Sequence, residues 1–346
     1  MGTSGARVSV KYVRSKLVKW DDLSMEIMKN PTENEIKKAA KALKDGHLVA
    51  FPTETVYGLG ADATNEMAVS RIYSVKGRPT DHPLIIHICS INQLTKWAVD
   101  IPEYAIKLAK EFWPGPLTLI LKRANIAKDF VTGGQVTVGL RVPSNPLALA
   151  LLHEFEKISG SAIAAPSANR FGQVSPTSCE DVSEEIGMYL AKYDLLLDGG
   201  ISFIGIESTI IDCTTDQPAI LRSGYITKKD VESKLGIIIE SKFGKIGMKF
   251  SGSFERHYAP KCQIILGSHT SQGNGFLALS EIETPPGMFR LASPTSVIEF
   301  ARNLYSTFRT ADRMGLNALI VTPPLGDGLA EAIADRLKKA SLGRYL

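Results

Sequence analysis

Apolar positions at Ile36, Ala39, Ala40 and Leu43 recur at helical spacing, and Thr32 with Glu35 just ahead of them makes a capping-box pattern. Gly46 stops this helix. An apolar run over 47–51 then predicts a strand that Pro52 ends. Asn65 is placed to cap a second helix reaching about residue 75, and 84–88 reads as a buried strand with a helix over 103–112 behind it. Trp113-Pro-Gly-Pro116 is a turn. Strands follow over 117–121 and 136–142, on either side of Gly133 and Gly134. The alternation continues with a helix over 146–157, a strand over 162–165, a helix over 179–192 and a strand over 195–197. Runs at 208–213 and 219–221 predict a strand pair around a turn at Asp216 to Pro218, and a helix over 228–235 closes this block.

The pattern breaks between 241 and 260, where glycines and basic residues outnumber aliphatics; this reads as an interdomain linker. Beyond it, 264–266, 276–279 and 316–321 read as strands, and 295–308 and 329–340 as helices. Strands alternating with helices predict parallel α/β sheets. A chain of 346 residues suits two domains, here 25–240 and 261–346 with 241–260 between them. Residues 1–24 carry Arg7, Lys11, Arg14, Lys16 and Lys19 with no apolar core behind them. An unstructured extension is expected there rather than a secretory signal.

Composition narrows the class. With 44% hydrophobic and 22% charged residues, intrinsic disorder and a coiled-coil rod are excluded. No apolar run nears the ~20 residues of a membrane helix. A net charge of +4 is too small to indicate a nucleic-acid binder by itself. Cys89, Cys179, Cys213 and Cys262 are far apart in sequence and form no C-x-x-C motif, so buried thiols in a reducing cytoplasm are expected. The histidines form no H-x-x-x-H pair, and no metal site is expected.

Candidate chemistry lies at the strand ends. Phe51-Pro-Thr-Glu-Thr-Val-Tyr-Gly-Leu-Gly60 places hydroxyls and a carboxylate after a strand, where α/β proteins place ligands, although a plain turn reads equally well. Lys76 and Arg78 flank Gly77 at a helix end; they either complement the helix dipole or form an anion cradle. Arg141 interrupts an apolar strand and needs a partner or a bound anion. Ala165-Pro-Ser-Ala-Asn169 sets Ser167 and Asn169 two apart, on one face of an extended segment. Three more polar strand ends follow, at Asp198-Gly-Gly200, Gly205-Ile-Glu-Ser-Thr-Ile-Ile-Asp212 and Leu221-Arg-Ser-Gly224.

Taken in order with Val138-Gly-Leu-Arg-Val-Pro143, Ser175-Pro-Thr177 and His257-Tyr-Ala-Pro260, these pieces resemble the long form of the threonylcarbamoyl-AMP synthase family. The resemblance implies a YrdC-like twisted open α/β sheet domain joined by a linker to a smaller Rossmann-like α/β domain. It implies the reaction of L-threonine, bicarbonate and ATP to L-threonylcarbamoyl-AMP, pyrophosphate and water, with Mg²⁺ arriving on ATP. The product would pass to a downstream tRNA threonylcarbamoyltransferase complex that modifies tRNAs reading ANN codons. The resemblance assigns L-threonine to Thr55, His87, Arg141, Ser167 and Ser208, and ATP to Arg78, His82, Thr137, Asn169, Thr177, Arg222 and Tyr258. Lys76 and Arg78 would act on the bicarbonate and the α-phosphate. The linker here is longer than the family's usual run, so Arg256 and Tyr258 are both eligible for the nucleotide contact.

The residues themselves fit such chemistry. All three substrates are anionic, and Lys76, Arg78, Arg141 and Arg222 supply positive charge. No Ser-His-Asp set or paired carboxylate appears, which suits catalysis by positioning. Two other readings are a carbamoyl-adenylate enzyme with a different acceptor, and an RNA-binding translation factor using a basic YrdC-like surface; weak tRNA binding is compatible with each.

Overall fold

The computed structural model describes residues 25–241, 249–250, 252, 257–267 and 274–342. The expected extension at 1–24 and Arg256 lie outside the described residues, as does most of the linker.

The first sheet opens with β1 (Glu26–Lys29), which the sequence pattern does not signal. Then come α1 (Glu33–Lys44), held at its start by the Thr32–Glu35 capping box, and β2 (Val49–Phe51). The next strand, β3 (Gly58–Asp62), occupies a stretch that reads as a turn. Glycine is required there by crowding: a Cβ on Gly60 would lie 2.8 Å from both Ile163 Cγ2 and Phe51 Cε1. α2 (Glu66–Lys76), capped by Asn65, leads to β4 (Ile85–His87). Short α3 (Leu94–Trp97) and β5 (Ala98–Val99) precede α4 (Glu103–Phe112) and β6 (Leu117–Arg123). α5 (Asp129–Thr132), β7 (Thr137–Arg141), α6 (Pro146–Ser159) and β8 (Ile163–Ala164) follow.

α7 (Cys179–Ile186) is shorter than the pattern predicts, because at Gly187 the chain tightens into a single 3₁₀ turn, Gly187–Tyr189. β9 (Leu195–Asp198), β10 (Thr209–Asp212), β11 (Ala219–Arg222), α8 (Lys228–Leu235) and β12 (Glu240–Ser241) complete this part. Its strands run β1-β9-β2-β3-β8-β4-β7-β6-β10-β11-β12, with β5 beside β6. The sheet is mixed rather than parallel as the alternation suggests: β2–β3, β3–β8, β4–β8 and β6–β7 are antiparallel, and so is the expected strand pair β10–β11. β4 and β7 do run parallel, and their register sets His87 opposite Arg141.

The second sheet is fully parallel, as expected. It contains β13 (Gln263–Leu266), β14 (Gly275–Leu277), β15 (Phe289–Ala292) and β16 (Ala318–Val321), in the order β13-β16-β14-β15. α9 (Val297–Arg313) runs past its expected end because the apolar stripe Phe300, Leu304, Tyr305, Phe308 and Ala311 continues. α10 (Leu329–Ser341) closes the described chain. The two parts share one apolar cluster, in which Val56, Val174, Ile204 and Ile206 pack with Phe300, Leu304, Tyr305 and Phe308. Ion pairs reinforce this contact: Arg313 Nη2 lies 2.8 Å from both Asp181 Oδ1 and Glu184 Oε2, and Arg309 Nη1 lies 3.3 Å from Glu185 Oε2.

Candidate functional site

Parallel pairing of β4 and β7 delivers His87 and Arg141 side by side at the carboxyl ends of two interior strands, and the loop between β2 and β3 meets Arg141 there. Arg141 Nη2 donates to Glu54 Oε1 at 2.6 Å and to Thr55 Oγ1 at 3.0 Å, and its Nε donates to Gly115 O at 3.3 Å. Glu54 Oε2 accepts from Ser144 N at 3.1 Å, so the carboxylate is fixed at both oxygens. Thr53 Oγ1 lies 2.8 Å from Thr55 Oγ1 and donates to Val56 O at 2.6 Å. Burial first, and then the Arg141 charge, push the His87 imidazole down to about 3. It is therefore neutral at pH 7, and its Nδ1 has no hydrogen-bond partner among the described residues.

β10 and β11 bring the opposite wall. Arg222 donates from Nε to Ser208 O at 3.0 Å and from Nη2 to Ser208 Oγ at 3.1 Å. Ser208 Oγ also lies 2.8 Å from Thr118 Oγ1. Thr55, His87, Arg141, Ser167, Ser208 and Arg222 all line one pocket, with about 410 Å³ of empty space that includes open solvent. Five of these are the residues assigned to L-threonine; Arg222 is assigned to ATP.

The other assigned residues stand outside that lining. Lys76 is buried, and its Nζ donates to Ser167 O and Asn169 O, tying the end of α2 to the loop that carries Ser167. Burial, and then the Arg78 charge, hold its ammonium pKa well below the usual value. Arg78 donates to Pro83 O at 3.0 Å, with its guanidinium 6.0 Å from the Phe171 ring. His82 and His257 also meet Phe171, at ring distances of 6.0 and 6.3 Å. Tyr258 packs edge-on against His257 at 4.0 Å. Its buried hydroxyl has no hydrogen-bond partner among the described residues. A Cβ placed on Gly252 would lie 2.5 Å from that hydroxyl and 3.4 Å from Arg222 Nη1, so this linker tyrosine approaches a pocket cation.

Asn169 is turned into its own loop, donating to Arg170 O at 2.7 Å and Gln173 O at 2.9 Å, while its Oδ1 has no partner among the described residues. Thr177 donates through its backbone and hydroxyl to Asp181 Oδ2, at 3.1 and 3.3 Å, at the start of α7. Thr137 opens β7, four residues from Arg141 and on the same face, about 13 Å away at about 3.3 Å per residue.

Comparison with known proteins shows which family the chain belongs to. Residues 41–224 match the family model described as "Telomere recombination", and 226–341 match "Threonylcarbamoyl-AMP synthase, C-terminal domain". A threonylcarbamoyl-AMP synthase of Pyrococcus abyssi is 40% identical, over 89% of this chain and 94% of the relative. The chain belongs to the threonylcarbamoyl-AMP synthase family. A family member from Bacillus subtilis is 38% identical, over 94% of this chain and 97% of the relative. The crystal structure of Pyrococcus abyssi Sua5 complexed with L-threonine superposes with a TM-score of 0.82 at 37% identity, covering 92% of this chain and 97% of that one.

Several residues at the pocket lie in the motifs singled out from sequence but are given no role of their own there. Thr53, Tyr57 and Glu207 line the pocket, and Glu54 holds Arg141. Glu207 adjoins Ser208 and Glu54 adjoins Thr55, so adjacency to a chosen hydroxyl was the available signal. Among the described residues, no three His, Cys, Asp or Glu side chains gather in a way that could hold a metal ion, and no helix is long and apolar enough to cross a membrane.

Proposed function

We propose that the chain joins L-threonine, bicarbonate and ATP into L-threonylcarbamoyl-AMP, with release of pyrophosphate and water. The observation that carries this reading is the convergence of Arg141, His87, Thr55, Ser167, Ser208 and Arg222 on one pocket. Bonding changes set the order of events. The threonine amine bonds the bicarbonate carbon, and a hydroxyl leaves that carbon and takes the amine proton away as water. A carbamate oxygen then bonds the α-phosphorus as the bond to the β-phosphate oxygen breaks.

No protein nucleophile is required. Burial raises the pKa of all four thiols, and none lines the pocket. The site's contribution is placement and charge. Arg141, already oriented by Glu54, receives the threonine carboxylate through the rest of its planar fork. His87, whose Nδ1 has no partner among the described residues, offers the substrate a hydrogen bond. In this reading Arg222 and Arg78 take the phosphates, and Lys76 holds the Ser167 loop in place. In this reading Mg²⁺ arrives on ATP and offsets the triphosphate charge.

In this reading the product passes to a transferase complex acting on tRNAs that read ANN codons. Four buried, unpaired thiols suit the reducing cytoplasm in which such a step would run. The test is omission: pyrophosphate should appear only when ATP, L-threonine and bicarbonate are all present. Release from ATP alone, or indifference to threonine, would contradict the reading.

A further inference from the structure

Glu207 is the sole carboxylate among the described residues lining the pocket, beside cations that this reading assigns to anionic substrates. Its charge opposes theirs, and it is buried. Two side chains from the second sheet's layer reach across to it. Arg336 on α10 donates from Nε to Oε2 at 2.9 Å. Tyr305 on α9 donates to Oε2 at 2.9 Å, with Oε1 at 3.2 Å. Ser175 Oγ completes the set at 2.6 Å from Oε1.

Arg336 is built for this contact. It is fully buried, donates to Ser223 O at 3.0 Å and Asp335 Oδ2 at 2.7 Å, and places its guanidinium 5.3 Å from the Tyr258 ring. Burial would raise the Glu207 carboxyl, but the Arg336 and Arg222 charges outweigh it and hold the group down at about 2. A buried ion pair that loses one member leaves an uncompensated charge, which in a low dielectric acts strongly on its neighbours.

We propose that Arg336 and Tyr305 are positioning residues for the substrate pocket: they hold and neutralise Glu207, so that the positive field of Arg141 and Arg222 reaches the anionic substrates. The C-terminal part of the chain is thereby a working element of the site, although none of its residues lines the pocket among those described. This inference rests on the functional reading above.

Three variants of the full chain test it: Arg336→Met, Tyr305→Phe, and Arg336→Met combined with Glu207→Gln. Steady-state pyrophosphate release gives KM and kcat, and thermal melting reports stability. Arg336→Met should raise KM for L-threonine or ATP by about tenfold, and adding Glu207→Gln should recover most of that loss. Tyr305→Phe keeps the ring and removes only the hydroxyl, so it should fold and raise KM by about threefold. A merely structural contact would lower the melting temperature of Arg336→Met with KM unchanged, and that result overturns the proposal. A double variant no better than Arg336→Met overturns it too. If Arg336→Met does not fold, an unchanged KM in Tyr305→Phe does the same. Wild-type protein with no threonine-dependent release would instead overturn the functional reading, and this inference with it.

Discussion

The Arg141 guanidinium sits 2.6 Å from the Glu54 carboxylate, and both side chains are buried. The pocket cation is therefore paired before substrate arrives, and its fork is fixed in direction. Glu54 holds the Nη2 side of the guanidinium and is itself held by Ser144 N, which leaves Nη1 for a ligand. Arg141→Ala removes the carboxylate's receptor and strands Glu54. L-Threonine affinity should fall by more than about a hundredfold, from an expected loss of about 3–5 kcal/mol, while most ATP binding survives. Calorimetry with each ligand separately checks this, and unchanged threonine affinity would remove Arg141 from the site.

Lys76 ties down the carbonyls of Ser167 and Asn169 from the end of α2. Lys76→Met should therefore weaken L-threonine binding measured without nucleotide, by about tenfold, because two buried carbonyls lose their donor. A lysine that served only to contact phosphate would leave threonine binding untouched. Calorimetry in the absence of ATP separates the two.

Gly60 sits where β2, β3 and β8 crowd together, with Val49 O 3.1 Å from the position a Cβ would take. Gly60→Ala should cost about 1–3 kcal/mol of stability by overpacking. Urea unfolding measures it, and a midpoint equal to wild type would mean that the sheet relaxes around the methyl.

His87 and His257 are pushed by burial from 6.5 to about 3. Folded, they stay neutral through mild acid, whereas unfolded they protonate below 6.5. The unfolded chain then binds more protons, so stability falls as pH drops from about 6.5 toward about 3, by about 1.4 kcal/mol per pH unit for each histidine. His82, lowered to about 4 by burial and the Arg78 charge, acts in the same direction. Glu207 joins only below its unfolded value of 4.5. Urea midpoints between pH 7 and pH 4.5 should decline steadily, and His257→Asn should make that decline shallower. A flat profile would contradict the burial of neutral imidazoles.

Much of the site is legible in sequence because charge in an apolar strand is costly. Arg141 within Val138-Gly-Leu-Arg-Val142 demands a partner, and Thr55 and His87 prove to be pocket neighbours of it. Partners distant in sequence are not legible in this way. Tyr305 and Arg336 meet Glu207 across 98 and 129 residues, and no local pattern encodes such a contact. β3 is misread because Gly58-Leu-Gly60 carries the residues of a turn, whereas packing against β8 is what calls for glycine. Thr177 and Asn169 are assigned to ATP by the family resemblance alone, and the structure shows that their hydrogen bonds also shape their own loops.

The most direct measurement of the central claim is the mass of the product formed from ATP, L-threonine and carbon-13 bicarbonate. The account predicts a threonylcarbamoyl adenylate that carries the heavy carbon, formed together with pyrophosphate and absent when threonine is withheld. An adenylate without the label, or a labelled product that forms equally well without threonine, would contradict it.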